Sequence, residues 1–335
     1  MRQDMIYVYE IYRAGSFSQA AESLFMSQPA LSIAVKKIEQ DIGMPLFDRS
    51  YQPLRLTDAG RVYIRRIEEI RELEKDLENE LQDLARLETG ALSLGGTQYF
   101  NSHMLPAVLN TFLLRYPNVQ VTLHESNYAL IEQYLKDGSA DLVFHCGPVD
   151  LKNNRSIDIC RDHLLFAVPA SYPVNQNPAA ISAALSAAQI RAGRHLEKDC
   201  PAVSFGLFAD TPLVLLGNSN DLHQRALSIC RRAGFEPRVR FQAEQLETAC
   251  YMAAHGLGAA FVSDRIVCDT DVVAGLVFYR LDAPEAVRQY RAVVRKNGYV
   301  SHLMQIIIGM LKEQPGPAEY NPHEPAEKDE NPNSR

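Results

Sequence analysis

Residues 16–42 read SFSQAAESLFMSQPALSIAVKKIEQDI, and this stretch decides the fold of the N-terminal part of the chain. Its apolar spacing predicts two short helices joined by a tight turn at residues 25–26. Ser27 is a favourable N-cap for the second helix, and Pro29 falls in its first turn, where the missing backbone N–H costs nothing. Four apolar residues at helical spacing predict the buried stripe of that helix: Leu31, Val35, Ile38 and Ile42. The stretch therefore predicts a helix-turn-helix.

The segments on either side of this pair complete a small domain. Apolar residues recur at helical spacing over residues 5–12 and predict a first helix. Residues 49–57 (RSYQPLRLT) predict a two-stranded wing with its turn at the Gln-Pro pair. We therefore interpret residues 1–58 as an all-α winged helix-turn-helix domain.

The second helix of the pair carries side chains suited to DNA. A helix in the major groove presents small or amide side chains to base edges, with cations beside them for phosphates. Gln28 is suited to an adenine edge and Ala30 to a thymine methyl group. Ser27, Pro29 and Ser32 complete the groove-facing set. Phosphate contacts are assigned to Ser16, Ser18, Lys36, Arg49 and Arg55. The alternative is a three-helix domain in which these residues only face solvent.

A long helix is predicted over residues 59–87. Apolar residues recur along it three or four positions apart: Ile64, Ile67, Ile70, Leu73, Leu77, Leu81, Leu84 and Leu87. One helix cannot bury such a stripe alone, so it most simply pairs with a second copy of itself and makes a dimer. The alternative is a solvated, charged helix lying against its own domain.

From residue 90 onward, strands alternate with helices, which indicates an α/β domain with a parallel sheet and crossover helices. We interpret it as two lobes, lobe I at residues 90–168 and 268–312 and lobe II at residues 169–267. Residues 170–202 are less regular and form an elaboration of lobe II. Residues 313–335 are rich in proline and acidic residues and are predicted to be a disordered tail.

Polar residues follow the predicted strands of this domain. Ligands in open α/β sheets bind at the carboxyl ends of strands, close to helix N-termini. The candidate effector-binding residues are Thr97, Gln98, Tyr99, Asn101, Ser126, Asn127, His145, Asn218, Ser219 and Asn220. Their hydroxyl and amide groups suit a small polar or anionic ligand, although each of them could equally be a plain helix cap.

Several short sequence motifs are typical of one family. They are SFSQAAESL, SQPALS, KKIE, GMPLFDR and LRLTDAG, which lie in order between residues 16 and 60. This run resembles the N-terminal domain of LysR-type transcriptional regulators, and the long helix and two-lobed domain that follow are similar to that family more loosely. The resemblance implies a winged helix-turn-helix dimer, usually assembled as a tetramer, that binds double-stranded promoter DNA. It also implies an effector domain of the periplasmic-binding-protein type, in which a small molecule between the lobes changes promoter binding or DNA bending.

The chain departs from the family pattern at one position. The family commonly has a basic residue directly after the serine of PALS, whereas this chain has Ile33. Ile33 is therefore predicted to touch a thymine methyl group or a sugar edge. Some family members sense peroxide through a cysteine pair in the second lobe, but no cysteine follows Cys200 until Cys230, so Cys200 is interpreted as a buried or inert thiol. RNA polymerase is kept as a candidate partner.

Composition sets further bounds. The chain has 335 residues, 46% of them hydrophobic, and a net charge of −7, which suits two or three globular domains and argues against a uniformly basic coat for nucleic acid. Asp4 and Glu10 stand where a signal peptide would be apolar, and the longest apolar run, residues 303–311, has about half the length of a membrane span. We therefore expect a cytoplasmic protein with no membrane partner.

No cofactor or metal site is predicted. The six cysteines are scattered, without a C-x-x-C pair. His145, His163, His195 and His255 lack metal-ligand spacing and are interpreted as satisfied polar residues. The chain also lacks paired carboxylates or a nucleophile with a base, so we expect no enzyme activity. Two alternatives remain: a cytoplasmic solute-binding protein whose N-terminal unit serves only dimerisation, and an enzyme that uses the α/β lobes.

Overall fold

The N-terminal unit, Met1–Leu87, contains three helices around a small apolar core. The structure is a computed structural model that describes residues 1–51, 53–85, 89–218 and 220–314. The helices are α1 (Gln3–Ala14), α2 (Phe17–Ser23) and α3 (Gln28–Ile42). Ser27 caps α3 by accepting a hydrogen bond from the N–H of Ala30 at 3.3 Å. Leu31 and Val35 are fully buried, and the more distal Ile38 and Ile42 are half-buried. The helix-turn-helix predicted from the sequence is present.

A short wing and a long helix follow. Strands β1 (Phe47–Asp48) and β2 (Arg55–Leu56) pair antiparallel, with Phe47 opposite Leu56. Helix α4 (Asp58–Leu84) begins where Thr57 accepts a hydrogen bond from the N–H of Gly60 at 3.0 Å. A Cβ on Gly60 would stand 2.0 Å from the carbonyl oxygen of Leu46, so only glycine allows this close approach. Residues 52 and 86–88, which belong to the predicted wing turn and helix end, lie outside the described residues.

The second unit, Glu88–Arg335, contains a first five-stranded sheet. Its order is β4 (Asn118–Glu125), β3 (Thr89–Gly96), β5 (Leu142–His145), β12 (Val287–Arg295) and β6 (Asn154–Pro169). Strand β3 runs parallel to β4 and β5, whereas β12 runs antiparallel to β5 and β6. The sheet is therefore mixed, and not parallel throughout as the alternation of elements suggested. Helices α5 (Gln98–His103), α6 (Leu105–Arg115), α7 (Tyr128–Lys136) and α13 (His302–Glu313) belong to this part of the chain.

A second sheet shares strand β6 with the first. Its remaining strands are β7 (Ala184–Leu185), β8 (Leu213–Leu216), β9 (Val239–Ala243), β10 (Ala259–Ser263) and β11 (Leu276–Arg280). Strand β6 pairs with β12 up to His163, and from Leu164 onward it pairs with β10 and β11. The chain thus crosses between the sheets at residues 163–164 and returns after β11.

The chain returns to the first sheet later than the predicted lobe boundary at residue 268. Strand β11 falls within the range assigned to lobe I, yet it pairs with residues 165–169 of β6 in the second sheet. The Gly256–Gly258 turn leads from α11 (Leu246–Ala254) into β10, which lies in that same second sheet. Sequence periodicity identifies a strand but not its partner, so the lobe boundary was misplaced.

Residues 170–202 form several short elements. The alanine-rich part of this segment, residues 179–192, includes α8 (Pro178–Ala183), β7 and α9 (Ala187–Arg191). Ser186 and Gln189 form a capping box that begins α9. The remaining helices of the second sheet are α10 (Asp221–Arg232) and α12 (Asp264–Asp269). Among the described helices, none combines the length and the apolar character needed to cross a bilayer. The predicted tail from residue 315 onward lies outside the described residues.

Candidate DNA interface and ligand cleft

The N-terminal end of α3 presents an exposed face opposite its buried stripe. Gln28, Pro29, Ala30 and Lys36 are exposed there, and Ile33 keeps 70% of its surface accessible. This distribution follows from the helical period, since Leu31 and Val35 hold the opposite face in the core. Small, amide and aliphatic side chains with a lysine beside them can therefore meet base edges and a phosphate together.

Arg49 has partners within its own domain. Its guanidinium donates to Oγ of Ser32 at 3.3 Å and to Oε2 of Glu39 at 3.2 Å, and it stacks 4.7 Å from the ring of Phe17. Glu39 also accepts the backbone N–H of Leu46 at 2.8 Å. Arg49 and Ser32, both predicted to contact DNA, thus join the start of the wing to α3. Sequence spacing did not reveal this second role.

The other predicted phosphate contacts lie on different elements. Ser16 stands partly buried at the N-cap of α2 without a side-chain cap bond, and Ser18 is exposed. Arg55 is exposed on β2, with its guanidinium 4.3 Å from the ring centre of Tyr51. In the turn before α3, Phe25 adopts φ +53° and is 99% exposed. The sequence predicted Phe25 as a turn residue, and its positive φ agrees with that position.

A cleft of about 460 Å³, including the part open to solvent, lies in the second unit and is lined by residues of both sheets. Four predicted effector residues line it: Thr97, Tyr99, His145 and Asn220. Several lining residues were not predicted, among them Tyr128, Cys146, Asp221, Arg288 and Tyr290. Arg288 and Tyr290 lie on β12, more than 140 residues from Tyr128 and His145, so only the fold brings them to this place.

The remaining predicted effector residues do not line this cleft. Asn127 caps α7 by accepting the N–H of Leu130 at 3.1 Å. The side-chain amide of Gln98 donates to Ser102 at 3.3 Å, and that of Asn101 donates to the carbonyl of His124 at 3.5 Å. Ser126 and Asn218 are also absent from the lining, and Ser219 lies outside the described residues.

A buried polar network forms the floor of the cleft. Arg288 Nε donates to Oδ2 of Asp162 at 2.7 Å, and the hydroxyl of Tyr99 donates to Oδ1 of the same carboxylate at 2.5 Å. Ser263 reaches that oxygen as well, also at 2.5 Å. Burial alone would lower the pKa of Arg288, but the Asp162 carboxylate raises it, so the guanidinium stays charged. Arg288 Nη2 lies 2.6 Å from the same Oδ2, so both nitrogens face the Asp162 carboxylate.

His145 is the least satisfied polar side chain of the cleft. It is 1% exposed, and neither ring nitrogen makes a hydrogen bond of normal geometry among the described residues. Its ring meets that of Tyr128 edge-on at 4.8 Å. Burial, together with the charge of Arg291, lowers its pKa to about 4. The imidazole is therefore neutral near pH 7, with one nitrogen able to donate and the other able to accept.

The acidic and thiol groups of the cleft bond to each other. The thiol of Cys146 donates to Oδ2 of Asp221 at 3.3 Å, and Nε of Arg225 donates to the same oxygen at 2.8 Å. Burial raises the pKa of Cys146 to about 12, so this sulfur stays a thiol and is a poor nucleophile. The described lining of the cleft does not place a nucleophile beside a base. Cys200 and Cys230 are buried as well, as predicted for Cys200.

Comparisons with known proteins agree with this architecture. A family model described as bacterial regulatory helix-turn-helix protein, lysR family, matches residues 3–61, and one described as LysR substrate binding domain matches residues 85–316. The uncharacterized HTH-type transcriptional regulator YcgK of Bacillus subtilis (strain 168) is 29% identical over 309 residues, covering 92% of this chain and 93% of that protein. A probable RuBisCO transcriptional regulator of Cyanophora paradoxa is 27% identical, over 87% of this chain and 85% of its own.

Solved structures share the fold at lower identity. A cysteine-to-aspartate variant of full-length OxyR from Pseudomonas aeruginosa has a TM-score of 0.68 at 19% identity, covering 92% of this chain and 94% of that one. Full-length CbnR in complex with its target DNA has a TM-score of 0.58 at 19% identity, covering 93% of this chain and 99% of that one.

Proposed function

The chain belongs to the LysR family of DNA-binding transcriptional regulators with an effector-binding domain, and on that premise we propose that a small anionic metabolite in the cleft switches its binding to promoter DNA. The matched helix-turn-helix also replaces the alternative of a solute-binding protein whose N-terminal unit serves only dimerisation. The family consists of regulators, and the proposal assigns the α/β unit a sensing role and no turnover.

The proposal for the effector rests above all on His145. Neither nitrogen of this buried imidazole makes a hydrogen bond of normal geometry among the described residues, and Oε1 of Glu132 is 3.7 Å from Nε2, so the ring is costly to bury unless a ligand or water supplies its hydrogen bonds. Arg288 lines the same cleft with a charged guanidinium that is ion-paired with Asp162 through Nη2 at 2.6 Å. A compact ligand that carries an anionic group for Arg288 and a hydroxyl or carbonyl for His145 would satisfy both residues.

The position of the cleft supports a role in switching. Thr97 and His145 come from the first sheet, whereas Asn220 and Gln245 come from the second. A ligand that bonds to both sides favours the arrangement in which the sides are close, and it shifts the population toward that state by its differential affinity. The sheets are connected through β6 and through the segment between β11 and β12, so these are the places where the two sides can turn.

For DNA, the proposal places the N-terminal end of α3 in the major groove. Gln28 would pair with an adenine edge, and Ala30 and Ile33 would contact thymine methyl groups, with Lys36 on a phosphate. Helix α4 would join two such chains through its exposed leucines, since Leu73, Leu77 and Leu81 keep 69%, 56% and 56% of their surface accessible. The proposal also includes assembly into a tetramer and contact with RNA polymerase.

Thermal unfolding against a set of small carboxylates and phosphates tests the effector proposal. A ligand at 100 times its Kd should stabilise the protein by about 2.7 kcal/mol. The His145→Phe variant should lose most of that shift, while His255→Gln, which changes an exposed histidine, should keep it. A mobility shift with the promoter region flanking its own gene, with and without the ligand, then tests switching. A ligand that stabilises both variants equally would contradict the role of His145, and DNA binding indifferent to the ligand would contradict the switch.

A further inference from the structure

Two histidines and an aspartate from distant parts of the sequence meet beside strand β6. His163 is the last residue of β6 to pair with β12, and the next residue already pairs with β10. His195 lies in the short turn Arg194–Leu196, within the irregular segment of residues 170–202. Asp264 is the first residue of α12. These side chains stand apart from the cleft that contains His145, so the proposed effector site does not use them.

The three side chains bring their donor atoms together. Oδ2 of Asp264 lies 3.3 Å from Nδ1 of His163 and 3.1 Å from Nε2 of His195, and all three atoms lie within 4.8 Å of one another. A tetrahedral ion with bonds of about 2.0–2.1 Å to nitrogen and oxygen sets neighbouring ligand atoms about 3.3–3.4 Å apart. Two of the three spacings therefore already match such a site, and the ring nitrogens of the two histidines, which lie within 4.8 Å of each other, would have to approach to that spacing.

The carboxylate is held in the orientation that a metal ligand requires. Oδ1 of Asp264 accepts the backbone N–H of Arg265 at 2.8 Å and that of His163 at 3.4 Å. These bonds leave Oδ2 for the two imidazoles. Asp264 is fully buried, so this orientation is fixed by its surroundings and is not an accident of an exposed side chain. Hydrogen bonds to the non-ligating oxygen are the outer-shell support that metal-binding carboxylates usually have.

Each imidazole directs a ring nitrogen at Oδ2 of Asp264, which accepts these hydrogen bonds when no ion is bound. A metal ion would take the place of the protons in these two bonds, and Nδ1 of His195, which has no hydrogen-bond partner among the described residues, can carry the ring proton instead. His195 is buried, whereas 30% of the His163 side chain is accessible, which provides a way in for an ion. Both histidines line a cavity of about 960 Å³, including its open part, so waters can complete the coordination.

We propose that His163, His195 and Asp264 bind a divalent transition-metal ion, for which Zn²⁺ is the natural probe. Two imidazoles and one carboxylate are the ligand types that Zn²⁺ and its neighbours in the first transition series prefer, and a three-ligand set leaves positions open for water. The bound ion would link the segment of residues 170–202 to strand β6 at the point where that strand passes from the first sheet to the second. With metal bound, this segment would stabilise one arrangement of the two sheets.

Metal titration of the untagged, full-length protein after treatment with a chelator tests the site. Zn²⁺ binding is measured by competition with a chromophoric chelator, and Co²⁺ binding by its visible absorption bands. We expect one ion per chain and an affinity that falls as the pH is lowered, since protons compete for the imidazoles. His163→Gln, which changes a partly exposed side chain, and His195→Gln should each weaken binding by at least about 10- to 100-fold, the range for losing even an outer-shell partner.

The control variant is His255→Gln, which removes an exposed histidine elsewhere on the second unit and should bind Zn²⁺ like the wild type. Circular dichroism of each metal-free variant verifies that it is folded, and a variant that is folded but no longer binds supports the site. The proposal is overturned if the metal-free wild-type protein takes up no Zn²⁺. It is equally overturned if the folded His163→Gln and His195→Gln variants bind Zn²⁺ with wild-type stoichiometry and affinity.

Discussion

His103 Nδ1 lies 2.6 Å from Oδ2 of Asp269, and this contact joins α5 to the end of α12. The other ring nitrogen, Nε2, lies 3.0 Å from Oε1 of Glu247 in α11. All three side chains are largely buried. Burial alone would lower the pKa of His103, but hydrogen bonds to the two carboxylates raise it from 6.5 to about 9. The charged imidazole therefore links helices on the two sides of the ligand-binding unit.

The stability of the protein should fall as the pH rises from about 7 to above 9. The raised pKa of His103 means that its contribution is complete below 6.5 and disappears as the pH passes through 9. At 1.36 kcal/mol per pKa unit, this loss amounts to about 3 kcal/mol. Urea unfolding followed by circular dichroism at several pH values measures it. His103→Gln should flatten the profile and His255→Gln should not, and a wild-type profile that is already flat would refute the link.

Asp162→Asn should destabilise the second unit strongly. The substitution leaves Arg288 charged and buried without its carboxylate, and breaking a buried ion pair in this way typically costs about 3–5 kcal/mol. The matched control is Asp158→Asn on the same strand, since Asp158 pairs with Arg291 at 3.0 Å but is 69% exposed. That change should cost less than about 1 kcal/mol. Similar unfolding midpoints for the two variants would show that the network around Asp162 is not a stabilising one.

Gln28→Ala should weaken binding to the cognate promoter by about 1–3 kcal/mol and relax the preference at one base pair. Gln28 is exposed at the start of α3 and is free to reach a base edge. Gln40→Ala changes an exposed glutamine near the other end of the same helix and serves as the control. Fluorescence anisotropy with cognate and substituted DNA at fixed salt gives both affinities. If the two variants bind alike, α3 does not read DNA through its N-terminal end.

Leu77→Glu should convert the dimer into a monomer at micromolar concentration. Leu77 lies at the middle of the exposed apolar stripe of α4, and a charge there would be buried in a helix pair. Leu114→Glu alters an equally exposed leucine on α6, which is 72% accessible, and should leave the assembly unchanged. Sedimentation velocity compares the two. A Leu77→Glu protein that sediments like the wild type would exclude α4 as the main interface.

Local chemistry was readable from the sequence wherever it acts between near neighbours. Ser27 and Pro29 predicted where α3 begins, because an N-cap involves residues only a few positions apart. The order of the matching motifs likewise indicated the family from the sequence alone. The structural role of Arg49 could not be predicted in this way. The contacts of Arg49 with Ser32 and Glu39 span 17 and 10 residues, so its structural role appeared only in the folded domain.

The cleft shows the same division more sharply. Sequence reasoning found Thr97, Tyr99, His145 and Asn220, because strand ends can be recognised from the alternation of elements. It could not find Arg288, since the pairing of β12 with β5 and β6 decides where that residue lies.

The sequence by itself determined helix α3, the long amphipathic helix α4 and the alternating α/β pattern, since each depends on periodicity over a few turns. Only the tertiary structure decided that β6 serves both sheets and that β11 belongs to the second of them. It also decided that His163 and His195, interpreted from sequence as unrelated polar residues, meet at Asp264. The physical reason is that hydrogen bonds between strands, and donor atoms around a site, join residues whose separation along the chain carries no pattern.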